Sequence, residues 1–261
     1  MKKAFHPIRN ERITVQQYLS EFGPKLGPDG KHRERLPSRC PACLAHMKIV
    51  GEDRPPHDQV FSHIGKKNPT PCPLRNSADH KYEFLQDAPQ DSETGKTLRR
   101  NFFKNWEKHY AKMRKLLNGF MDLRDFIALI READRTRLWN RPSLSEWEIP
   151  YIFLVWKEWS PVSDKTGKVL RKEWIRFWFD SRVRTIDDIW IRTQGSTFRI
   201  IKAWYTPPKR RRVPSLDHLV GTNDIVIDPN FLTSPHTKPH EYVIKMMKRD
   251  FPDEFTSSGS P

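Results

Sequence analysis

Four residues in the N-terminal third have the types and the spacing to hold a metal ion. Cys40 and Cys43 frame a Cys-Pro-Ala-Cys turn, nineteen residues separate Cys43 from His63, and eight separate His63 from Cys72, which stands directly before Pro73. A turn of that length lets two thiolates grip one tetrahedral ion from a single knuckle, and a second arm must then supply the other pair. The chain has 3 cysteines, all between Cys40 and Cys72, too few and too odd in number for a disulfide scaffold. The expectation is one structural Zn2+ per chain, because four protein ligands leave no position open for water. His57, or less favourably His46, replaces Cys72 as fourth ligand if the loop from Ile64 to Pro71 is too slack.

The flanking residues supply the arms. Met47-Lys48-Ile49-Val50-Gly51 reads as a strand running into a glycine, Asp53 to Pro56 as a turn, and Gln59-Val60-Phe61-Ser62-His63 as the returning strand. Residues 36–75 are therefore read as a zinc ribbon. Before it, residues 1–35 form a basic arm with one short helix, Thr14 to Phe22, whose Val15, Tyr18, Leu19 and Phe22 share a face.

Over residues 36–74 the chain resembles the N-terminal zinc ribbon of the competence-protein CoiA-like bacterial family. The resemblance is carried by Cys40-Pro41-Ala42-Cys43, Met47 to Gly51, Phe61-Ser62-His63 and Cys72-Pro73. It implies a bacterial or mobile-element protein working on or near DNA, with a nuclease-like domain after the ribbon. Two departures follow: His57 does not stand directly before Phe61, and no restriction-nuclease pattern of carboxylates and lysine occurs downstream. Nuclease activity is therefore not carried over.

Charge gives the second lead. The 261 residues carry 47 Lys+Arg against 32 Asp+Glu, a net charge of +15. Between Lys165 and Arg212 there are 14 basic and 4 acidic residues, whereas Val213 to Pro261 has 4 basic and 7 acidic. Such a concentration attracts a polyanion through release of its counterions. The expected phosphate-binding residues are Lys165, Lys168, Arg171, Lys172, Arg176, Arg182, Arg184 and Arg192, with Lys209, Arg210, Arg211 and Arg212 between prolines in an extended segment. Trp174 and Trp178 are candidates to stack on unpaired bases.

Residues 76–96, with Asp79, Asp87, Pro89, Asp91, Glu93 and Gly95, read as a polar linker before a basic α+β body over 97–220. Leu98 to Gly119 reads as one helix, with Phe102, Trp106, Tyr110, Met113 and Leu117 on its apolar face and Arg100, Lys104, Lys108, Lys112 and Lys115 opposite. A second helix from Asp122 to Trp139, capped by Asp122, completes a helical hairpin. Tyr151 to Trp156 is read as a strand from its β-branched and aromatic composition. Glu173 to Phe179 alternates as a strand does, and Asp188 to Arg192, the turn at Thr193 to Ser196, and Thr197 to Tyr205 read as a hairpin. The segment 221–261 carries a possible strand at Asp224 to Asp228, a helix from Glu241 to Arg249 ended by Pro252, and a disordered end from Ser257. The fold class is α+β: a small N-terminal zinc ribbon, a helical hairpin and a small antiparallel sheet.

Absences narrow the function. The chain has no GxxxxGK[ST] loop, no GxGxxG before a helix, no GxSxG elbow and no HExxH pair. Carboxylates such as Asp164, Asp180, Asp187 and Asp188 could in principle hold magnesium for phosphodiester cleavage, with Lys165 or Lys202 nearby in space. No apolar run approaches a membrane span of about 18 residues, and the N-terminus lacks a signal-peptide core, so a cytoplasmic protein is expected. The leading expectation is a nucleic-acid-binding accessory protein rather than an enzyme. A protein-interaction module of a bacterial defence or competence complex is the alternative, and a divergent metal-dependent nuclease the third reading.

Overall fold

The computed structural model describes residues 1–9, 11–64, 72, 74, 91–141, 144–179, 199–208, 213–214 and 218–256. The chain begins with two short strands, β1 (Lys3–Phe5) and β2 (Arg12–Thr14), joined antiparallel. Helix α1 (Val15–Phe22) follows at once. Thr14 caps it, its hydroxyl accepting from the Gln17 amide (3.2 Å) while the Gln17 side chain accepts from the Thr14 amide (2.8 Å). Gly23, at φ 72°, ends it in a backbone conformation that favours glycine. Strands β3 (Ser38–Arg39), β4 (His46–Val50) and β5 (Val60–His63) complete a five-stranded sheet ordered β2-β1-β3-β4-β5. The stretch read as an arm is thus part of the module's own sheet, with Phe5 opposite Arg39.

Helix α2 (Ser92–Lys104) begins inside the stretch read as a linker, because Asp91 accepts from the amides of Glu93 and Thr94 and caps it. Gly95 is buried in this helix against Asn140, where there is no room for a side chain. The single helix expected from Leu98 to Gly119 is two. The chain breaks at Asn105, whose side-chain amide donates to Glu146 (2.9 Å), and restarts as α3 (Trp106–Leu116). Helix α4 (Leu123–Arg135) is capped by Asp122 as expected, and buries Phe126, Leu129, Ile130 and Ala133. The run read as a strand at 151–156 is instead helix α5 (Ile149–Val155), with every residue buried. A helix enclosed on all sides carries no polar stripe, so its aromatic and β-branched composition reflects burial rather than pleating.

Two short strands, β6 (Val162–Ser163) and β7 (Val169–Arg171), lead into β8 (Trp174–Phe179), β9 (Arg199–Tyr205) and β10 (Leu219–Val226). The last three form an antiparallel sheet ordered β10-β9-β8. Residues 188–196, the first half of the expected hairpin, lie outside the described residues. The strand expected at 224–228 is longer and starts earlier, paired along β9 with Asn223 opposite Lys202. Helix α6 (Glu241–Asp250) matches its expectation, while Pro252 opens a further turn, α7 (Pro252–Thr256). Residues 257–261 lie outside the described residues. The architecture among them is α+β, with seven α-helices and antiparallel sheets.

Register places the sheet between the helices and the N-terminal module. Trp174, Arg176 and Trp178 share a face with Ala203, Tyr205 and Asp224, and Asp224 pairs with Arg12 of β2 at 2.8 Å. The other face carries Lys202, whose ammonium donates to Leu116 O (2.7 Å) and Asn118 Oδ1 (2.6 Å) at the end of α3. Arg171 reaches the same helix end, donating to Leu117 O (3.4 Å), Phe120 O (2.6 Å) and also Ser160 O (2.6 Å). Arg114 donates to Gly119 O (2.9 Å). Three cations from separate stretches of chain therefore satisfy carbonyls that the helix and the turn after it leave open. No helix of the described residues is long and apolar enough to cross a membrane.

Candidate metal centre

Strand parity delivers the histidine. In the β4–β5 pair, Met47 opposes His63 and Ile49 opposes Phe61, and all four lie on the buried face. His46, Lys48 and Val50 alternate outward, which removes His46 as a ligand. His57 is excluded too: its side chain is 78% exposed and lies 3.6 Å from Asp58.

The two N-terminal thiols are placed by a tight turn after β3. Cys40 N donates to Ala45 O and Leu44 N to Cys40 O, both at 2.9 Å, and Leu44 adopts φ 59°. That left-handed residue is costly without glycine, and the turn it closes brings Cys43 back over Cys40. The Ala42 amide donates to Cys40 Sγ at 3.4 Å. Cys72 approaches from a distant stretch.

The result is a compact cluster. One ligand atom each from Cys40, Cys43, His63 and Cys72 lies within 4.8 Å of every other. Cys40 Sγ and Cys72 Sγ are 3.8 Å apart, far beyond a disulfide bond, and His63 Nε2 is 3.3 Å from Cys43 Sγ. Cys40, Cys72 and His63 are buried and Cys43 half-buried.

Proton affinities show the strain of this assembly. Burial, reinforced by Cys43 and Cys72, pushes the Cys40 thiol well up. The Cys72 thiol is drawn down by its bond to Cys40, yet Cys43 and burial outweigh that and carry it to about 12. Cys43, hydrogen-bonded by Cys40 and Cys72, is held far below the ordinary thiol range. Thiolates packed this closely away from water repel one another, and a cation between them would offset that repulsion. The four side chains can thus hold a metal ion, which would be fully enclosed by protein ligands.

No protein-family model, curated protein or solved structure matches the chain. The site therefore rests on its own geometry.

The expected phosphate-binding residues divide. Lys165, Lys168 and Lys172 are exposed around β6 and β7. Arg171 and Arg176 are corrected: they are 4% and 0% exposed. Arg171 serves backbone carbonyls, as described above, and Arg176 Nε donates to Glu158 Oε1 at 2.6 Å. Trp178 is also corrected, being fully buried in the sheet's inner face, while Trp174 is half-buried with its indole donating to Glu158 Oε2 (2.7 Å). Neither ring is presented for base stacking. Arg182, Arg184, Arg192, Lys209, Arg210, Arg211 and Arg212 lie outside the described residues. Of the candidate magnesium carboxylates, Asp164 closes its own turn, accepting from Thr166 and Lys168 amides at 2.9 Å, and Asp180, Asp187 and Asp188 lie outside the described residues. Glu158 was not singled out from the sequence. Its partner stands eighteen residues away, beyond the reach of any periodicity.

Proposed function

We propose that the chain is a nucleic-acid-binding accessory protein whose N-terminal module is a zinc ribbon with a structural role. For the metal, the supporting observation is the Cys3His set and its spacing. Zinc–sulfur bonds of about 2.3 Å span a tetrahedron with edges of about 3.8 Å, and the Cys40–Cys72 separation is 3.8 Å. A soft thiolate-rich set selects against magnesium and calcium. Because the four ligands fill the tetrahedron, the ion would hold the turn after β3, strand β5 and the Cys72 segment together rather than activate water.

For the nucleic acid, the observation that carries the reading is the net charge of +15. Lys165, Lys168 and Lys172 remain exposed, with no acidic partner among the described residues. The resemblance to the CoiA-like ribbon adds a DNA-associated, bacterial setting.

Two measurements test this. Elemental analysis of the purified protein should find one zinc per chain, and Cys40→Ser should lose both the ion and the order of the module. Fluorescence anisotropy with labelled duplex DNA, single-stranded DNA and RNA across a salt series should give submicromolar binding to at least one, with a steep salt slope. Weak binding to all three at physiological salt would leave the surplus charge as a solvated face and turn the search to a protein partner.

A further inference from the structure

Helix α3 carries cations that the strand-centred expectation did not use. Lys108, Lys112 and Lys115 recur at four- and three-residue spacing, which puts them on one face. That face borders a groove of about 480 Å³ between α3 and the segment 228–239. Four cationic side chains line it, Lys108, Lys112, Arg114 and Lys115, against one carboxylate, Asp228. His236 also lines it but is paired with Glu107 at 3.3 Å.

Three of the four cations are held in place rather than waving in solvent. Lys108 Nζ donates to Leu232 O. Lys112 Nζ lies over two rings, 5.6 Å from the centroid of Tyr151 and 5.3 Å from that of Phe231, with Asp228 only at 4.0 Å. Burial draws the Lys112 ammonium below its ordinary pKa, the mark of a charge short of water and counter-charge. Arg114 is tied to Gly119 O, and Lys115 is exposed with no acidic partner among the described residues.

We infer that this groove is the seat of a nucleic-acid phosphate backbone, the juxtaposition of Lys108, Lys112, Arg114 and Lys115 along α3 forming a track for phosphates. This rests on the nucleic-acid reading above and locates it. From Lys108 to Lys115 the helix rises about 10 Å, the axial length of about three phosphates of one duplex strand. Tyr110 and Phe231, the aromatic residues of the lining, are buried, so no ring is offered to a base. Recognition is therefore of phosphate and insensitive to sequence.

The test is a salt series on duplex DNA with the full chain and two variants. Lys112→Ala/Lys115→Ala removes two contacts. At a salt exponent of about 0.9 per contact, accumulated over the decade between about 1 M and 0.1 M salt, affinity at the lower salt should fall about sixty-fold, with the slope flatter by about 2. Lys112 is half-buried, so Lys115→Glu, at an exposed position, is the second variant and should cost at least about eightfold by the same reasoning. Wild-type affinity and slope in both variants, with the parent binding tightly, would overturn the groove and leave the nucleic-acid reading standing. No binding by the parent would overturn both. Displacement of DNA by inorganic tripolyphosphate, phosphate for phosphate, would overturn the backbone in favour of a small oligophosphate ligand.

Discussion

The buried pair Arg176–Glu158 yields the sharpest quantitative expectation. Glu158 follows α5, and its two oxygens accept from Arg176 Nε at 2.6 Å and from the Trp174 indole at 2.7 Å. The Arg176 side chain is 0% exposed and that of Glu158 12%. Glu158→Ala would strand a guanidinium away from water, its contacts then including Tyr205 Oη and Pro214 O, each at 3.4 Å. Breaking a buried pair from one side costs about 3–5 kcal/mol. The retained contacts argue for the lower end, about 3 kcal/mol, and a chain of this size loses about 2–4 °C of Tm per kcal/mol, giving a drop of about 6–12 °C. Thermal unfolding followed by circular dichroism measures it. Arg176→Met should be milder, because the remaining carboxylate can turn towards solvent, and it should leave the salt slope of DNA binding unchanged. A Tm loss below about 2 °C for Glu158→Ala, together with a flatter salt slope for Arg176→Met, would refute the burial and return Arg176 to the phosphate-binding set.

Three further outcomes follow from other sites. Cys72→Ser should lose the bound metal while His57→Ala keeps it, as read by elemental analysis; the reverse would reassign the fourth ligand. Gly95→Ala should destabilise by up to about 2 kcal/mol in urea titrations, because an overpacking cost of about 1–3 kcal/mol exceeds alanine's helix advantage of about 1 kcal/mol: the new Cβ would stand 3.0 Å from the Asn140 Cα. A gain in stability would show that α2 is not pressed against Asn140. His109 is fully buried, stacked on Phe102 with centroids 4.6 Å apart, its Nε2 3.1 Å from Glu146. Burial lowers its pKa, so the folded state refuses a proton that the unfolded chain accepts below about pH 6.5. Its contribution is present above that pH and lost on acidification. The urea midpoint should fall between neutral and mildly acidic pH, and fall less in His109→Gln; equal losses in the two proteins would place the titration elsewhere.

The metal cluster was legible in the sequence because ligand spacing is itself the constraint: a two-residue gap between thiols admits few geometries, and strand parity turns His63 inward with Phe61. Helix α1 and helix α4 were legible through Thr14, Asp122 and their apolar faces. What could not be read depended on partners far along the chain. Asn105 breaks a continuous apolar stripe where Glu146 offers its side chain a bond. Gly95 has the composition of a turn and the environment of a helix contact. Residues 151–156 carry no polar stripe to reveal a period, since α5 is enclosed on every side. Arg171 and Arg176 belong to a basic run by composition, yet carbonyls and Glu158 draw them inward. Charge counted along a chain does not say which cations reach solvent.

The end of α3 has a consequence for how the body opens. Leu116, Leu117 and Phe120 offer carbonyls that Lys202 of β9 and Arg171 of β7 satisfy from outside the helix. Detaching the sheet would therefore leave the last turn of α3 unsupported, and fraying that turn would take acceptors from two half-buried or buried cations, leaving Arg171 with Ser160 O. Helix end and sheet form one cooperative unit, and their amides should exchange with solvent at a common rate while more peripheral segments exchange faster. Local motion at the C-terminal end of the lysine-bearing helix is thereby tied to the integrity of the sheet beneath it.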